Sequence, residues 1–114
     1  MSCASMLMTA LTPCGLPVYP TVYTGDALEY LVFNYETLPA IDAEGVADAA
    51  RYLVQVHYYL PIKKNPNAML QTVCLALAAA DCTCPAITDA SDKNGQHYVV
   101  ECEFCDGGFD YGQA

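Results

Sequence analysis

The cysteines are the residues of this chain whose chemistry depends most on spacing. Four of the seven fall in two close pairs, Cys82 with Cys84 and Cys102 with Cys105. Asn94-Gly95, between the pairs, is a strong signal for a two-residue hairpin loop. A loop at that dipeptide places Cys84 opposite Cys105, with Cys82 on the same strand face two residues away.

Three states are open to these thiols: free cysteines, a Cys84–Cys105 disulfide, or a metal site. A structural zinc usually takes four ligands from paired C-x2-C turns, and here one pair has a single intervening residue while Cys102 and Cys105 lie on opposite strand faces. Seven cysteines cannot all pair within one chain, and the N-terminal residues lack the basic stretch of a secretion signal. The pattern therefore favours free thiols in a reducing cytosol, without metal or other cofactor.

His57 and His97, the two histidines, each fall on the more polar face of a predicted strand. A Cys, His and Asp arrangement of the thiol-hydrolase type can be written from the composition. However, no helix N-terminus or basic residue is predicted beside a cysteine to lower its pKa. The sequence also lacks a glycine-rich phosphate loop and a nucleophile elbow, so we expect no enzyme and no catalytic residue.

The acidic residues concentrate between two predicted strands, in residues 36–50. Glu36, Asp42, Glu44 and Asp48 lie there without a basic residue until Arg51. The stretch predicts a long acidic loop, which is either a solvated hairpin tip or a functional segment.

The elements that must position these residues follow from periodicity and from turn signals. The predicted helices are residues 2–12 and 66–81, the second with Asn65 as its cap and Pro66 in its first position. The predicted strands are 28–35, 51–60, 85–88 and 96–105, with an extended edge segment at 17–23. This order predicts an α+β domain at 1–105, in which one long helix and a short N-terminal helix pack on a mainly antiparallel four- or five-stranded sheet. Residues 106–114 are predicted to form a flexible, glycine-rich acidic tail.

Aromatic residues indicate a subunit interface. The chain has nine tyrosines and no tryptophan, and tyrosine suits interfaces because it buries apolar area while keeping a polar tip. Two helices cannot cover both faces of such a sheet, so an uncovered face or edge needs a partner. The predicted contact residues are Tyr30, Phe33, Tyr35 and Tyr59.

Composition excludes several classes of partner. The net charge of −9 and the four basic residues argue against specific nucleic-acid binding and against a polybasic membrane surface. No segment reaches the roughly 18 apolar residues that span a bilayer. An apolar content of 54% is enough for a folded core.

The order of elements resembles that of a known family. It is carried by PVYP at 17–20, EYLVF at 29–33, YLVQVHYY at 52–59 and HYVVECEF at 97–104. Over residues 2–105 the chain is similar to the small tail-terminator (tail-completion) proteins of long-tailed bacteriophages and prophages. The cysteine-rich segments and the tail do not match.

The resemblance implies a structural protein of the virion tail, assembled in the cytoplasm of a bacterial host. Such proteins form a ring, usually a hexamer, that caps the tail tube, stops its polymerisation and joins the tail to the head connector. The resemblance implies that the acidic residues Glu36, Asp42, Glu44 and Asp48 serve in assembly or face the lumen. The implied partners are other copies of the chain, the tail tube protein and the head–tail connector protein. The alternatives are another head–tail neck or completion protein, or a cytosolic zinc or thiol interaction module.

Overall fold

The computed structural model describes residues 2–41 and 47–106. Its elements are α1 (Cys3–Leu11), a 3-10 turn (Thr12–Cys14), β1 (Val18–Pro20), β2 (Tyr30–Ile41), β3 (Ala47–Leu60), α2 (Asn67–Ala79), β4 (Thr83–Asp89) and β5 (Gln96–Asp106). The predicted α+β class is confirmed, with five strands and two helices.

The five strands form one sheet in the order β1-β2-β3-β5-β4. The β2–β3, β3–β5 and β4–β5 pairs are antiparallel, whereas β1 runs parallel to β2, so the sheet is mixed. Prolines at 17 and 20 restrict β1 to three residues at the sheet edge, as expected for a residue without a backbone N–H.

The prediction of a long acidic loop over residues 36–50 was wrong, because most of these residues belong to the two strands of a long hairpin. β2 continues to Ile41 and β3 already begins at Ala47, with Glu36 opposite Leu53 and Leu38 opposite Arg51. Polar residues do not prevent strand pairing where one face of the hairpin meets solvent. Pro39 is tolerated because β1 pairs with β2 only at Leu31–Phe33, which leaves this part of β2 at an edge.

Local side-chain bonds begin both helices. Ser2 Oγ accepts the Ser5 N–H at 3.1 Å at the N-cap of α1. Asn65 Oδ1 accepts the Asn67 N–H at 2.9 Å, but Pro66, and not Asn65 as predicted, takes the N-cap position of α2. Helix α2 begins at Asn67 and spans 13 residues, so it is shorter than the predicted helix over 66–81.

The core lies between the two helices and one face of the sheet. Alternation along β3 buries every second residue. The buried set comprises Tyr52, Val54, Val56, Tyr58 and Leu60 from β3, Leu31 and Phe33 from β2, Val100 and Cys102 from β5, Cys3, Leu7 and Leu11 from α1, and Leu70, Val73 and Leu77 from α2. Both helices therefore cover the same face. The opposite face, which we call the open face, carries no helix from residues 2–41 and 47–106.

The turn between β4 and β5 lies one residue earlier than predicted. Asp92 and Gly95 exchange backbone hydrogen bonds of 3.0 and 3.2 Å around Lys93-Asn94. Asp92 Oδ1 also accepts the Asn94 N–H at 2.8 Å, which stabilises the turn at this position. Ile87 consequently pairs with Val100, and not with Cys102 as the predicted loop required.

Candidate functional site

The open face collects the polar and aromatic side chains of the central strands. On β3 it presents Arg51, Leu53, Gln55, His57 and Tyr59, which alternate with the buried residues. Val32 of β2 also points to this face, opposite His57, and yet it is only 6% exposed. Neighbouring side chains on the open face therefore shield an apolar residue from water.

A row of stacked rings, which we call the aromatic ladder, crosses this face. It consists of the stacked rings of Tyr23, Tyr30, Tyr59, His97 and His57, with Tyr19 added at one end, where its ring is tilted by 57° to that of Tyr23. The ring centroids lie 4.3 Å apart for Tyr23–Tyr30, 4.9 Å for Tyr30–Tyr59 and 4.2 Å for Tyr59–His97. The planes of these ring pairs are inclined by 27°, 22° and 14°, so the rings are stacked and do not meet edge to face.

Strand register explains the ladder. Tyr30, Tyr59 and His97 stand opposite one another on β2, β3 and β5, so three neighbouring strands each contribute a ring to one rung. Tyr23 is added by the loop after β1, where its hydroxyl accepts the Ala27 N–H at 3.0 Å. A Cβ at Gly25 would come within 2.2 Å of that hydroxyl, so glycine lets the loop close over the ring.

The two histidines are joined by a hydrogen bond within the ladder. Asn34 Nδ2 donates to His57 Nε2 at 3.2 Å, so His57 carries its proton on Nδ1 and donates it to His97 Nε2 at 2.8 Å. Burial lowers the pKa of His57, the charge of His97 lowers it further, and Glu101 opposes the change. Burial also lowers the pKa of His97, against the effect of Asp92. The arrangement favours two neutral imidazoles.

Beside the ladder, the open face forms a shallow acidic groove of about 510 Å³. Its lining includes the carboxylates of Glu36, Glu101 and Glu103 together with Asn34 and Gln55. Arg51 lies 4.0 Å from Glu103, but both side chains are about half exposed, so this ion pair contributes little stability. The groove therefore has negative character.

The predicted contact residues do not share one surface. Tyr30 and Tyr59 lie side by side on the aromatic ladder. Phe33 is 1% exposed in the core, so its assignment as a surface contact has to be withdrawn. Tyr35 lies on the helix side of β2, where its ring meets Tyr52 edge to face at 5.8 Å.

The predicted acidic assembly residues are also separated. Glu36 lines the groove on the open face. Asp48 lies in strand β3, and not in a loop. Asp42 and Glu44 lie outside the described residues.

The cysteines meet differently from the predicted pairing. The β4–β5 ladder pairs Thr83 with Glu103, so Cys84 does not stand opposite Cys105. Cys82 and Cys102 instead share a side-chain hydrogen bond in the core. Cys14, Cys74, Cys82 and Cys102 are reduced thiols that form no disulfide. Among residues 2–41 and 47–106, no group of three or more His, Cys, Asp or Glu side chains is arranged to hold a metal ion.

Sequence reasoning missed the histidine pair. Its signal was present, because both residues fall on the polar face of predicted strands, but only the β3–β5 register places Tyr59 opposite His97.

No family model matches this chain, and no curated protein is significantly similar to it. In the described part of the chain, neither helix has the length and apolar character needed to cross a membrane.

Proposed function

We propose that this chain is a structural subunit of a phage or prophage tail, which assembles into a terminator ring at the end of the tail tube. The observation that carries the proposal is the uncovered open face with its aromatic ladder. Tyr30 and Tyr59 present stacked rings there instead of the dispersed charges of an ordinary solvated face. Subunit contacts in a ring would use such a surface, since tyrosine is enriched at interfaces.

The long hairpin provides a second kind of contact. The outer edge of β2 is paired with β1 only at Leu31–Phe33, so the backbone of the following β2 residues has no neighbouring strand on that side in the described structure. An unpaired edge is a template for strand addition by another copy. A ring requires that two different surfaces of each copy meet and that their rotation closes; we propose a hexamer.

The negative charge of the chain supports a position around the path of the DNA in which the protein does not bind the DNA. The chain carries −9, and Glu36, Glu101 and Glu103 add negative charge to the open face. A negatively charged lumen repels phosphate and lets DNA pass without being retained. In this proposal the chain has no enzymatic role, and its partners are other copies, the tail tube protein and the head–tail connector protein.

The test adds the purified chain to polymerising tail tubes of the same phage or prophage and measures tube length by electron microscopy. We expect tubes of limited length with a ring at one end. The Tyr59→Ser variant should lose this activity. Leu75→Ala should keep it, because Leu75 is 63% exposed on α2, away from the open face.

The outcomes separate the candidates. Tubes that keep growing with no ring at their ends exclude a terminator and favour another neck or completion protein. Equal activity of the Tyr59→Ser and wild-type chains would exclude the open face as the subunit contact. A monomer that binds neither tubes nor connector would leave a thiol interaction module, for which the buried thiols are the favouring observation.

A further inference from the structure

Two thiols meet in the core at the start of the outermost strand of the sheet. Cys82, just before β4, and Cys102, on β5, are 5% and 7% exposed, and their side chains are hydrogen-bonded to each other. Both are reduced in this structure. A ring subunit has no evident need for this contact, so it requires an explanation of its own.

The end of α2 fixes the position of Cys82. The Asp81 N–H donates to the Ala78 carbonyl and the Cys82 N–H to the Leu77 carbonyl, both at 3.0 Å, while Asp81 adopts φ +67°. This is the bonding of a Schellman motif, in which the second residue after the cap packs back on the helix. Cys82 is thereby directed into the core beside Leu77.

Strand pairing brings Cys102 to the same place. Thr83 pairs with Glu103. Cys82 immediately precedes Thr83 and Cys102 immediately precedes Glu103, so the two cysteines lie diagonally across the β4–β5 ladder. The register of β4 shifts between Thr83 and Ala86, and within the described part of the chain no strand pairs with the outer side of β4. An irregular edge strand is the kind of element that opens locally, which gives a small oxidant access to buried sulfur.

The two sulfurs differ in their ease of ionisation. The hydrogen bond from Cys102 lowers the pKa of Cys82, and this outweighs the opposing effects of burial and of Asp81. The same bond raises the pKa of Cys102, as does its burial. Cys82 is therefore the better nucleophile and Cys102 the resolving thiol.

We propose that Cys82 and Cys102 form a redox pair, which closes to an intramolecular disulfide with hydrogen peroxide as oxidant and reopens with a small thiol as reductant. The Cys82 thiolate attacks one peroxide oxygen, the O–O bond breaks, and the departing hydroxide takes up the proton lost by Cys82 to give water. Cys102 then attacks the Cys82 sulfenic acid, the S–O bond breaks, and a second water leaves with the Cys102 proton. Two electrons pass from the sulfur pair to the peroxide.

The disulfide would fasten the end of β4 to β5 at the sheet edge. It closes a short loop of the chain, and such cross-links stabilise a folded domain by reducing the freedom of the unfolded chain. We expect the melting temperature of the oxidised protein to rise by about 5 °C or more. Addition of dithiothreitol should reverse the change.

The experiment treats the reduced protein with graded hydrogen peroxide and follows intact mass, disulfide mapping and melting temperature. The wild-type protein should lose two hydrogen atoms, and digestion without reduction should link the peptides that contain Cys82 and Cys102. Cys102→Ser should instead retain an oxygen on Cys82 or form no product. Cys14→Ser is the matched control, because Cys14 lies outside the pair, and it should behave as the wild type.

Several results would overturn the proposal. They are a mapped bridge between Cys84 and Cys105, a bridge from Cys102 to Cys3 or Cys74, and oxidation that adds only oxygen atoms to the wild-type chain. Absence of any product before the protein unfolds would overturn it equally. Because mapping uses the wild-type chain, the test stands even where a serine variant fails to fold.

Discussion

The histidine pair gives the open face two imidazoles whose pKa values lie below the ordinary value of histidine. His57 accepts from Asn34 through Nε2 and donates to His97 through Nδ1. A proton added to His57 Nε2 would break the first bond, and one added to His97 Nε2 would break the second. Both protonation steps therefore oppose the folded arrangement, in agreement with the lowered pKa of each residue.

We predict that acidification from about pH 7.5 to about pH 5.5 lowers the melting temperature by a few degrees. The folded-state pKa values lie below those of an unfolded chain, so the unfolded state binds protons more readily as the pH falls below about 6.5. The histidine pair therefore contributes its full stabilisation above that pH, and this contribution declines as the pH falls below it. Differential scanning fluorimetry of the H57Q/H97Q variant should show a flatter profile, and an unchanged slope would assign the effect to other groups.

Glu29 offers a second prediction at this scale. Its carboxylate accepts hydrogen bonds from the buried Tyr58 hydroxyl and from Lys64. Burial raises the pKa of Glu29, but the bonds from Lys64 and Tyr58 outweigh it, and the net pKa is lowered. The stabilisation is therefore present above the ordinary pKa of a glutamic acid and is lost as the pH falls through the lower folded-state value.

We predict that Glu29→Gln costs about 1–2 kcal/mol of unfolding free energy, because charge-assisted bonds to a carboxylate become neutral ones. Chemical denaturation at neutral pH measures the change. Lys64→Met is the control, since the Lys64 side chain is 54% exposed and an exposed ion pair contributes less than about 1 kcal/mol. An equal cost for both variants would show that the surface ion pair, and not the bond to Tyr58, stabilises the fold here.

The side chains illustrate what sequence could predict about the site. Period-two alternation places Tyr30 and Val32 on one face of β2 and Leu31, Phe33 and Tyr35 on the other. It could not decide which face the helices cover, because both faces of this strand carry apolar residues. For that reason the predicted contact set mixed ladder tyrosines with the core residue Phe33.

At the scale of elements, the turns decided which predictions failed. The helices were predictable from caps and apolar stripes, and β1 from its prolines. The β4–β5 register was not, because the Asp92 side chain stabilises a turn at Lys93-Asn94 and a displacement of one residue moves every opposed pair. The extent of the β2–β3 hairpin was missed because its polar residues carry no apolar alternation.

The end of α2 yields an element-scale prediction. Asp81 holds φ +67°, a region in which a side chain costs about 1 kcal/mol relative to glycine. We predict that Asp81→Gly raises unfolding free energy by about 0.5–1 kcal/mol, measured by denaturant titration. Ala80→Gly is the matched control, since Ala80 has φ −94°, and it should destabilise. A loss of stability in Asp81→Gly would show that its carboxylate contributes more than the backbone strain costs.

At the scale of the whole molecule, assembly has to bring together surfaces of like charge. Each copy carries −9, and the chain has only four basic residues to offset thirteen acidic ones. The apolar area of the aromatic ladder favours association, whereas the carboxylates Glu36, Glu101 and Glu103 beside it oppose it. The balance between these two effects should depend on ionic strength, because salt screens repulsion between exposed charges but leaves apolar burial largely intact.

We therefore predict that higher salt promotes self-association of the free protein. Sedimentation velocity at about 50 mM and about 500 mM NaCl should show the oligomer fraction rising with salt, since the Debye length falls from more than 10 Å to less than 5 Å over this range. Glu101→Gln/Glu103→Gln should shift the transition to lower salt by removing charge from the open face, whereas Tyr59→Ser should leave the protein monomeric at both concentrations. Asp26→Asn removes a charge from the loop before β2 and serves as the control for net charge alone. If the oligomer instead dissociates as salt is added, ion pairs and not the stacking of aromatic side chains hold the copies together. The aromatic ladder is then not their contact surface.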